Sequence, residues 1–328
     1  MRKPALVAVA LTLACGARTE LGVARVAADG GPSPTVDAGE SCGPPWVVFG
    51  AHVPSLAQGR GVLPAVMRVD GTQRHLLDVL RPTEGILTVS ATADHRNLLV
   101  GTYDLQAHVF ARAITRYSLE TKTRVDFGIN VAPARFSESP SGTFAYDDVS
   151  SVRVFDPAID TEATLVDQIA PTRPAFDATG ENVVFAANVN GTESWIATTS
   201  VHRGPLRRLA TTERSSSSLA LSPDKQRFAT PLRCGDADPS LRFGALPKES
   251  APLTIEQLCA STTKLVTGST LVDAAWGPDD WIVVIRDDRV VVVNLTIAGS
   301  ERALTQGIEV HSPDVLSGCA KVPDGPAF

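Results

Sequence analysis

The sequence is short of the features that mark the commonest functional classes. Its 30 Lys and Arg residues are outnumbered by 36 Asp and Glu, so the formal net charge is −6 and no basic stripe is present to follow a phosphate backbone. It contains no G-x-S-x-G elbow, H-E-x-x-H pair, Walker loop or dinucleotide fingerprint. We therefore predict no nucleic-acid partner, no cofactor, no bound metal and no catalytic residues.

The sequence also lacks an apolar run long enough to cross a bilayer, which needs about 20 residues. Near the amino terminus, the charged start Met1-Arg2-Lys3 is followed by a short apolar segment from Ala5 to Ala14 and then by small residues. This order of charge, short apolar segment and small residues is typical of an export signal. We predict that residues 1–14 are a signal peptide.

The run Leu11-Thr12-Leu13-Ala14-Cys15 resembles the lipobox of bacterial lipoproteins, in which the cysteine becomes the acylated first residue of the mature protein. Thr12 departs from the family pattern, which usually has Leu at that place. No Asp follows Cys15, and the resemblance to lipoproteins of two-membrane bacteria then implies the outer membrane. The alternative is a soluble exported protein that is cut further on, after Ala27.

Residues 15–45 are predicted to be the lipidated cysteine and a flexible tether. The stretches 29–34 and 43–45 are rich in Pro and Gly and offer little to bury. A flexible coil of about 30 residues spans about 30 Å. The tether would hold a folded domain clear of the membrane, with the lipid as the only membrane contact.

Four further cysteines remain, and four cysteines allow three pairings. An even number in an exported chain indicates disulfides. Cys42 precedes the first strand and Cys319 is near the end, while Cys234 and Cys259 lie within one repeat. We predict the pairs Cys42–Cys319 and Cys234–Cys259. Four free thiols or a zinc site are the alternatives, although no C-x-x-C spacing supports zinc.

From Trp46 onward, β-branched or alternating runs follow one another without a long amphipathic helix. Residues 175–186 combine an apolar anchor, a tight turn and a second strand, which is the pattern of a β-hairpin. The hairpin has five further copies, at 91–100, 139–146, 221–229, 276–284 and, truncated, 311–315. Their anchors are 35 to 55 residues apart, with a mean near 44. This is the period of four-stranded propeller blades.

Three copies carry Ser222-Pro223-Asp224, Gly277-Pro278-Asp279 and Ser312-Pro313-Asp314. Here the chain resembles the TolB-type propellers and their WD-like repeats. The resemblance implies an all-β fold, with six blades of four antiparallel strands over residues 46–320 and a short tail at 321–328. Seven blades are the alternative. A strand from residues 308–318 would complete the first blade, close the ring and place Cys319 beside Cys42.

Four polar residues precede apolar anchors and are candidate ligand contacts at the channel mouth: Arg135, Arg173, Ser217 and Asp273. Contacts to structural water would also explain them. Asp147-Asp148 could offer oxygen ligands to calcium, but two adjacent carboxylates fall short of the six to eight that calcium takes, and we predict a solvated turn there. We predict a monomeric, non-enzymatic envelope lipoprotein whose propeller is a binding or assembly module for an envelope protein or a small ligand. The alternatives are an envelope enzyme with a channel-mouth site, assisted by a metal held between blades, and a structural domain without a ligand.

The lipobox resemblance leads to a direct prediction. Mass spectrometry of the mature amino terminus is expected to find an acylated Cys15. A free amino terminus at any later residue would show that the chain has no lipid anchor.

Overall fold

The structure, a computed structural model, describes residues 42–52, 62–104, 112–129, 135–148, 150–189, 193–212, 218–236, 238–306 and 309–327. The predicted signal peptide, Cys15, most of the tether and Ser217 lie outside these residues. Within them, the strands form six separate sheets of four antiparallel strands each. Neither of the two short helices in this part of the chain has the length and apolarity needed to cross a bilayer.

The sheets are numbered as blades in chain order. Blade 1 holds β1 (Trp46–His52), β2 (Leu63–Arg68) and β3 (His75–Leu76). Blade 2 holds β4 (Glu84–Ala91), β5 (Leu98–Asp104), β6 (Arg112–Tyr117) and β7 (Arg124–Ile129). Blade 3 holds β8 (Arg135–Glu138), β9 (Phe144–Asp147), β10 (Val152–Asp156) and β11 (Thr161–Val166). Blade 4 holds β12 (Ala170–Phe176), β13 (Asn182–Val189), β14 (Glu193–Ser200) and β15 (Arg207–Thr212).

Blade 5 holds β16 (Ala220–Leu221), β17 (Arg227–Leu232), β18 (Ser240–Ala245) and β19 (Thr263–Thr267), and blade 6 holds β20 (Leu271–Trp276), β21 (Trp281–Arg286), β22 (Arg289–Asn294) and β23 (Arg302–Ala303). The last strand, β24 (Glu309–Leu316), returns to pair with β1 and completes blade 1. The helices are α1 (Ile255–Ser261) and a 3-10 turn at Pro278–Asp280.

Local sequence explains the hairpins. In blade 6, two valine- and isoleucine-rich strands are joined by Asp287 and Asp288, with Arg286 opposite Arg289. Both aspartates have positive φ, 48° and 60°. A two-residue hairpin whose central residues both have positive φ is the type I′ turn, which matches the twist of the flanking strands and tolerates Asp. The turn between β21 and β22 is therefore a tight hairpin turn, although it contains no glycine.

The first strands of the blades surround the axis. Each of β24, β4, β8, β12, β16 and β20 contacts the first strand of the next blade, and β20 contacts β24, so the contacts form a closed circle. The predicted six-bladed, all-β propeller is confirmed, with the carboxy-terminal strand closing the ring. One detail of the repeat prediction is wrong: residues 312–314 form no turn, because they lie within β24 as a bulge opposite Val48 and Gly50.

The seam between the two ends of the chain is tightly packed. Cys42 and Cys319 are joined, with their Cα atoms 4.8 Å apart. A Cβ at Gly318 would lie 1.9 Å from the Gly43 carbonyl oxygen, so this approach requires glycine. Beyond it, the predicted tail lies along blade 1, where the Leu76 amide donates to the Pro326 carbonyl at 2.9 Å.

The second disulfide, Cys234–Cys259, closes a loop of 25 residues, with a Cα separation of 5.4 Å. The loop carries α1, whose amino terminus is capped by Thr254 and Gln257 in a reciprocal capping box. Leu258 of α1 is fully buried in the core of the neighbouring blades. The insertion is therefore docked on the propeller and is not a free-standing binding loop.

The two disulfides differ in the length of chain that they close, 277 against 25 residues. In the chain-entropy model, the longer loop stabilises by roughly 5 kcal/mol and the shorter by roughly 3 kcal/mol. We expect the Cys42→Ser/Cys319→Ser variant to lose more stability in urea unfolding than Cys234→Ser/Cys259→Ser. An equal or reversed order would mean that strand pairing, not the covalent link, holds the ends together.

Candidate functional site

Bulges in the innermost strands aim side chains at the axis. The register slips between Thr172 and Ala175 in β12, between Val272 and Ala275 in β20, and in β24 opposite Val48 and Gly50. Each bulge contains a non-glycine residue with positive φ: Arg173 at 38°, Asp273 at 52° and Ser312 at 49°. Bulges of this kind re-aim a side chain and recur next to functional sites.

The same place in every blade is polar. In blades 2 to 6, the residue at this place lies four positions before the first residue of the hairpin turn, whose amide donates the hydrogen bond that closes the turn. In blade 1, the residue is Ser312, in the bulge of β24. The six residues, from blade 1 to blade 6, are Ser312, Thr88, Arg135, Arg173, Ser218 and Asp273. A ring of polar side chains therefore surrounds the axis of a propeller whose blades otherwise pack through apolar cores.

Two ion pairs cross the channel. Arg135 of blade 3 binds Asp273 of blade 6 through both carboxylate oxygens, with Nε to Oδ1 at 2.8 Å. Arg173 of blade 4 binds Asp314 of blade 1, with Nη2 to Oδ2 at 3.0 Å, and its Nη1 donates to the Pro313 carbonyl at 3.0 Å. In a six-bladed ring, blades 3 and 6 are opposite each other, as are blades 1 and 4. The pairs therefore connect opposite walls.

Two buried carboxylates organise this crossing. Asp314 also accepts the Ala91 amide at 3.0 Å, so it ties blade 1 to blade 2 as well. Asp147, on β9, accepts the amides of Arg135 at 2.5 Å and Arg173 at 3.3 Å, and so holds the backbone of both arginines. Burial raises the pKa of Asp147 to about 7, although the Arg135 charge and the two amides oppose the rise.

One end of the channel opens into a cavity of about 250 Å³, to which all six blades contribute. Its rim is formed by the residues at the second position of four equivalent turns, which are Ala93, Pro140, Ala178 and Pro223. The Arg173–Asp314 pair lies at its floor, whereas Arg135 and Asp273 do not line it. The site is therefore a cup with an alanine and proline rim, walls that combine apolar side chains with acidic and basic ones, and a charged floor.

Two basic side chains line opposite sides of this cup. His95 of blade 2 and Lys225 of blade 5 occupy the turn position that is Gly142 in blade 3 and Gly180 in blade 4, and all four have positive φ. Burial lowers the pKa of His95, and its Nδ1 lies 2.8 Å from the Val315 carbonyl, so Nδ1 carries the proton of the neutral ring. Burial also lowers the pKa of Lys225.

The structure places the four predicted ligand contacts in different settings. Arg173 lines the cavity, Arg135 and Asp273 lie on innermost strands but bind each other, and Ser217 lies outside the described residues. A ligand role for the four residues stays a prediction. Sequence reasoning missed Asp314, and it took Asp147 as part of a solvated turn, which is wrong because Asp147 is 3% exposed.

Among the residues that the structure describes, no group of three or more His, Cys, Asp or Glu side chains is placed to hold a metal ion. The acidic side chains at the cup are engaged by cations or amides. Glu138, for example, contacts the Arg116 guanidinium and accepts the Ala93 amide at 3.1 Å.

Comparison with known proteins identifies the fold class. No family model and no curated protein sequence matches the chain. Among solved structures, TolB from Acinetobacter baumannii superimposes with a TM-score of 0.62 at 16% identity, over 83% of this chain and 66% of that one. A putative TolB from Agrobacterium tumefaciens gives 0.54 at 11% identity, over 86% and 95%. The chain thus has the TolB-type six-bladed propeller fold.

A gluconolactonase from Xanthomonas campestris is also similar, with a TM-score of 0.48 at 12% identity over 84% of this chain and 89% of that one. At that score the likeness carries no argument about activity.

The buried carboxyl beneath the cup predicts an unusual pH dependence. Because the pKa of Asp147 is about 7 in the folded chain and about 4 in an unfolded one, folding takes up a proton between these values. The free energy of unfolding should therefore fall, relative to that of Asp147→Asn, by a few kcal/mol as the pH rises from 4.5 to 7.5. Urea titrations at several pH values measure this difference.

The neighbouring residue supplies the control. The pKa of Asp148 is lowered, because bonds from Ser151, Ser150 and Arg153 outweigh the effect of burial. Its contribution to stability is present above about pH 4 and is lost as the pH falls through its lowered pKa. Relative to Asp148→Asn, the wild type should show no loss between pH 4.5 and 7.5. If both variants show the same pH profile, Asp147 has an ordinary pKa.

Proposed function

We propose that this chain is a non-enzymatic binding or assembly module of the cell envelope, and that it binds its partner in the cup at the channel mouth. The observation that carries the proposal is the cup itself, a cavity of about 250 Å³ on the axis, lined by residues from all six blades. Concave sites with apolar walls and a few convergent polar groups are the usual ligand sites of proteins.

The shape of the site favours insertion of a small group or of the end of a chain. The Arg173–Asp314 pair lies across the floor, and the second cross-channel pair, on the innermost strands β8 and β20, lies outside the cavity. A partner would therefore enter from one face only. Its inserted portion would meet the alanine and proline rim first and the charged floor last.

The chemistry of the cup supports binding more than catalysis. A general acid or base needs a side chain that is free to exchange a proton with the substrate. Asp314 and Asp273 are held by arginines across the channel. Neutral His95 is held through Nδ1 by a backbone carbonyl. The ion-paired groups and His95 are thus a fixed lining, and Lys225 is left to contact a ligand, which suits recognition.

The cellular setting is part of the proposal. The two disulfides suit an oxidising compartment outside the cytosol. We propose export, acylation of Cys15 and anchoring in the outer membrane, with the predicted tether ending where Cys42 joins the monomeric propeller. The cup would then reach an envelope protein or a small ligand near the membrane surface.

Blocking the mouth tests the function. Ala178 is an exposed rim residue, so Ala178→Trp should fill the entrance without disturbing the floor. We expect tagged wild-type protein to capture a defined partner from envelope extracts, and Ala178→Trp to lose at least about nine-tenths of that capture. Quantitative mass spectrometry of the eluates measures the ratio.

Ala158→Trp is the matched control, because Ala158 is an exposed alanine in the turn between β10 and β11, away from the cup. It should capture the partner as the wild type does. Capture that survives Ala178→Trp, or that both variants lose, would place the binding surface elsewhere.

A further inference from the structure

The cup contains one cation that the protein itself does not pair. Among the described residues, Lys225 makes no side-chain hydrogen bond and no ion pair, although it is partly buried and lines the cavity. Its charge interacts with Asp314, Asp224 and Arg173, and all four residues line the same cavity. A buried charge without a partner is costly, and a bound ion of opposite sign removes that cost.

The carboxylates that line the cup with Lys225 each have other partners. Glu138 binds Arg116, Asp177 accepts from Thr179 and Asn182, and Asp224 accepts from Ser222 and the Gln226 amide. The floor acid Asp314 is paired with Arg173 and also accepts the Ala91 amide and its neighbouring Val315 amide. On the opposite side of the cup, His95 is neutral and presents Nε2 as an acceptor, because Nδ1 is committed to Val315. An acceptor beside the site disfavours a dianion. A single carboxylate matches one unpaired ammonium.

Lys225 occupies a turn position that glycine fills in two other blades. The residue has a φ of 59°, in the left-handed region where side chains cost roughly 1 kcal/mol and glycine costs nothing. The equivalent turns of blades 3 and 4 use Gly142 and Gly180. Strain of this kind in a lined cavity is typical of functional positions.

The size of the cup limits the ligand. Sites for drug-sized molecules and cofactors occupy about 300–1,000 Å³. This cavity of about 250 Å³ is smaller and is rimmed by alanine and proline side chains. It suits a carboxylate on a short apolar stem, which is either the free carboxyl terminus of a chain or a small monocarboxylic acid.

We propose that Lys225 makes the cup a monocarboxylate-binding site, in which the ammonium pairs with the ligand carboxylate above the Arg173–Asp314 floor. This inference rests on the proposed function, since it names the chemistry that the same cup selects.

Calorimetric titration of the full-length protein tests it with three probes: acetyl-trialanine with a free carboxylate, the same peptide as its carboxyl-terminal amide, and propionate. The free-acid peptide should bind at least about tenfold more tightly than the amide, as expected for one charged hydrogen bond. Propionate binding comparable to that of the peptide acid would indicate a small acid as the ligand. Weaker propionate binding would indicate a chain terminus.

Lys225→Gly separates this role from a structural one. It should weaken binding of the free-acid probe at least tenfold and yet raise the melting temperature by about 2 °C, because it relieves the left-handed strain and removes the unpaired charge. Lys122→Gly is the matched control, since Lys122 has a φ of 55° in an exposed turn. It should raise the melting temperature similarly and leave binding unchanged.

Equal binding of acid and amide, or full binding by Lys225→Gly, would overturn carboxylate recognition while leaving the cup as a binding site. If neither the free-acid peptide nor propionate binds, carboxylate recognition is overturned as well. Failure of the Ala178→Trp experiment would instead remove the proposed function itself.

Discussion

The pairing of β24 with β1 is the constraint on which the rest of the structure depends. A propeller built only from consecutive hairpins would leave the inner edge of blade 1 and the end of blade 6 unpaired, and open sheet edges invite association with other chains. Here the last strand of the chain becomes the first strand of blade 1 and closes the circle. The same strand brings Asp314 to the axis, where it meets Arg173.

The cross-channel pairs then specify how the blades face one another. Buried ion pairs contribute little net stability, because desolvation offsets most of their attraction, but an unpaired partner is strongly disfavoured. Arg135 with Asp273 and Arg173 with Asp314 each need two blades that are directly opposite. A ring with an odd number of blades has no such pair. Both contacts therefore fit the ring of six blades in this order.

The channel mouth combines two kinds of left-handed residue. The bulge residues Arg173 and Asp273 each form an ion pair across the axis, and the Arg173–Asp314 pair is the floor of the cup. The turn residues His95 and Lys225 extend over that floor from opposite blades and keep a ring nitrogen and an ammonium for other partners. All four residues have a positive φ, a backbone conformation that costs glycine less than a residue with a side chain.

Local sequence by itself determined the hairpins, because Asp-Gly-like turns and β-branched runs act over a few residues, and their period of about 44 residues determined the propeller. It also placed Arg135, Arg173 and Asp273 on innermost strands. Only the tertiary structure decided their partners: Arg135 and Asp273 are 138 residues apart, and nothing local to either encodes the other. Likewise, Asp147 beside Asp148 reads as a solvated turn until closure of the ring buries it, because burial depends on neighbours from distant blades.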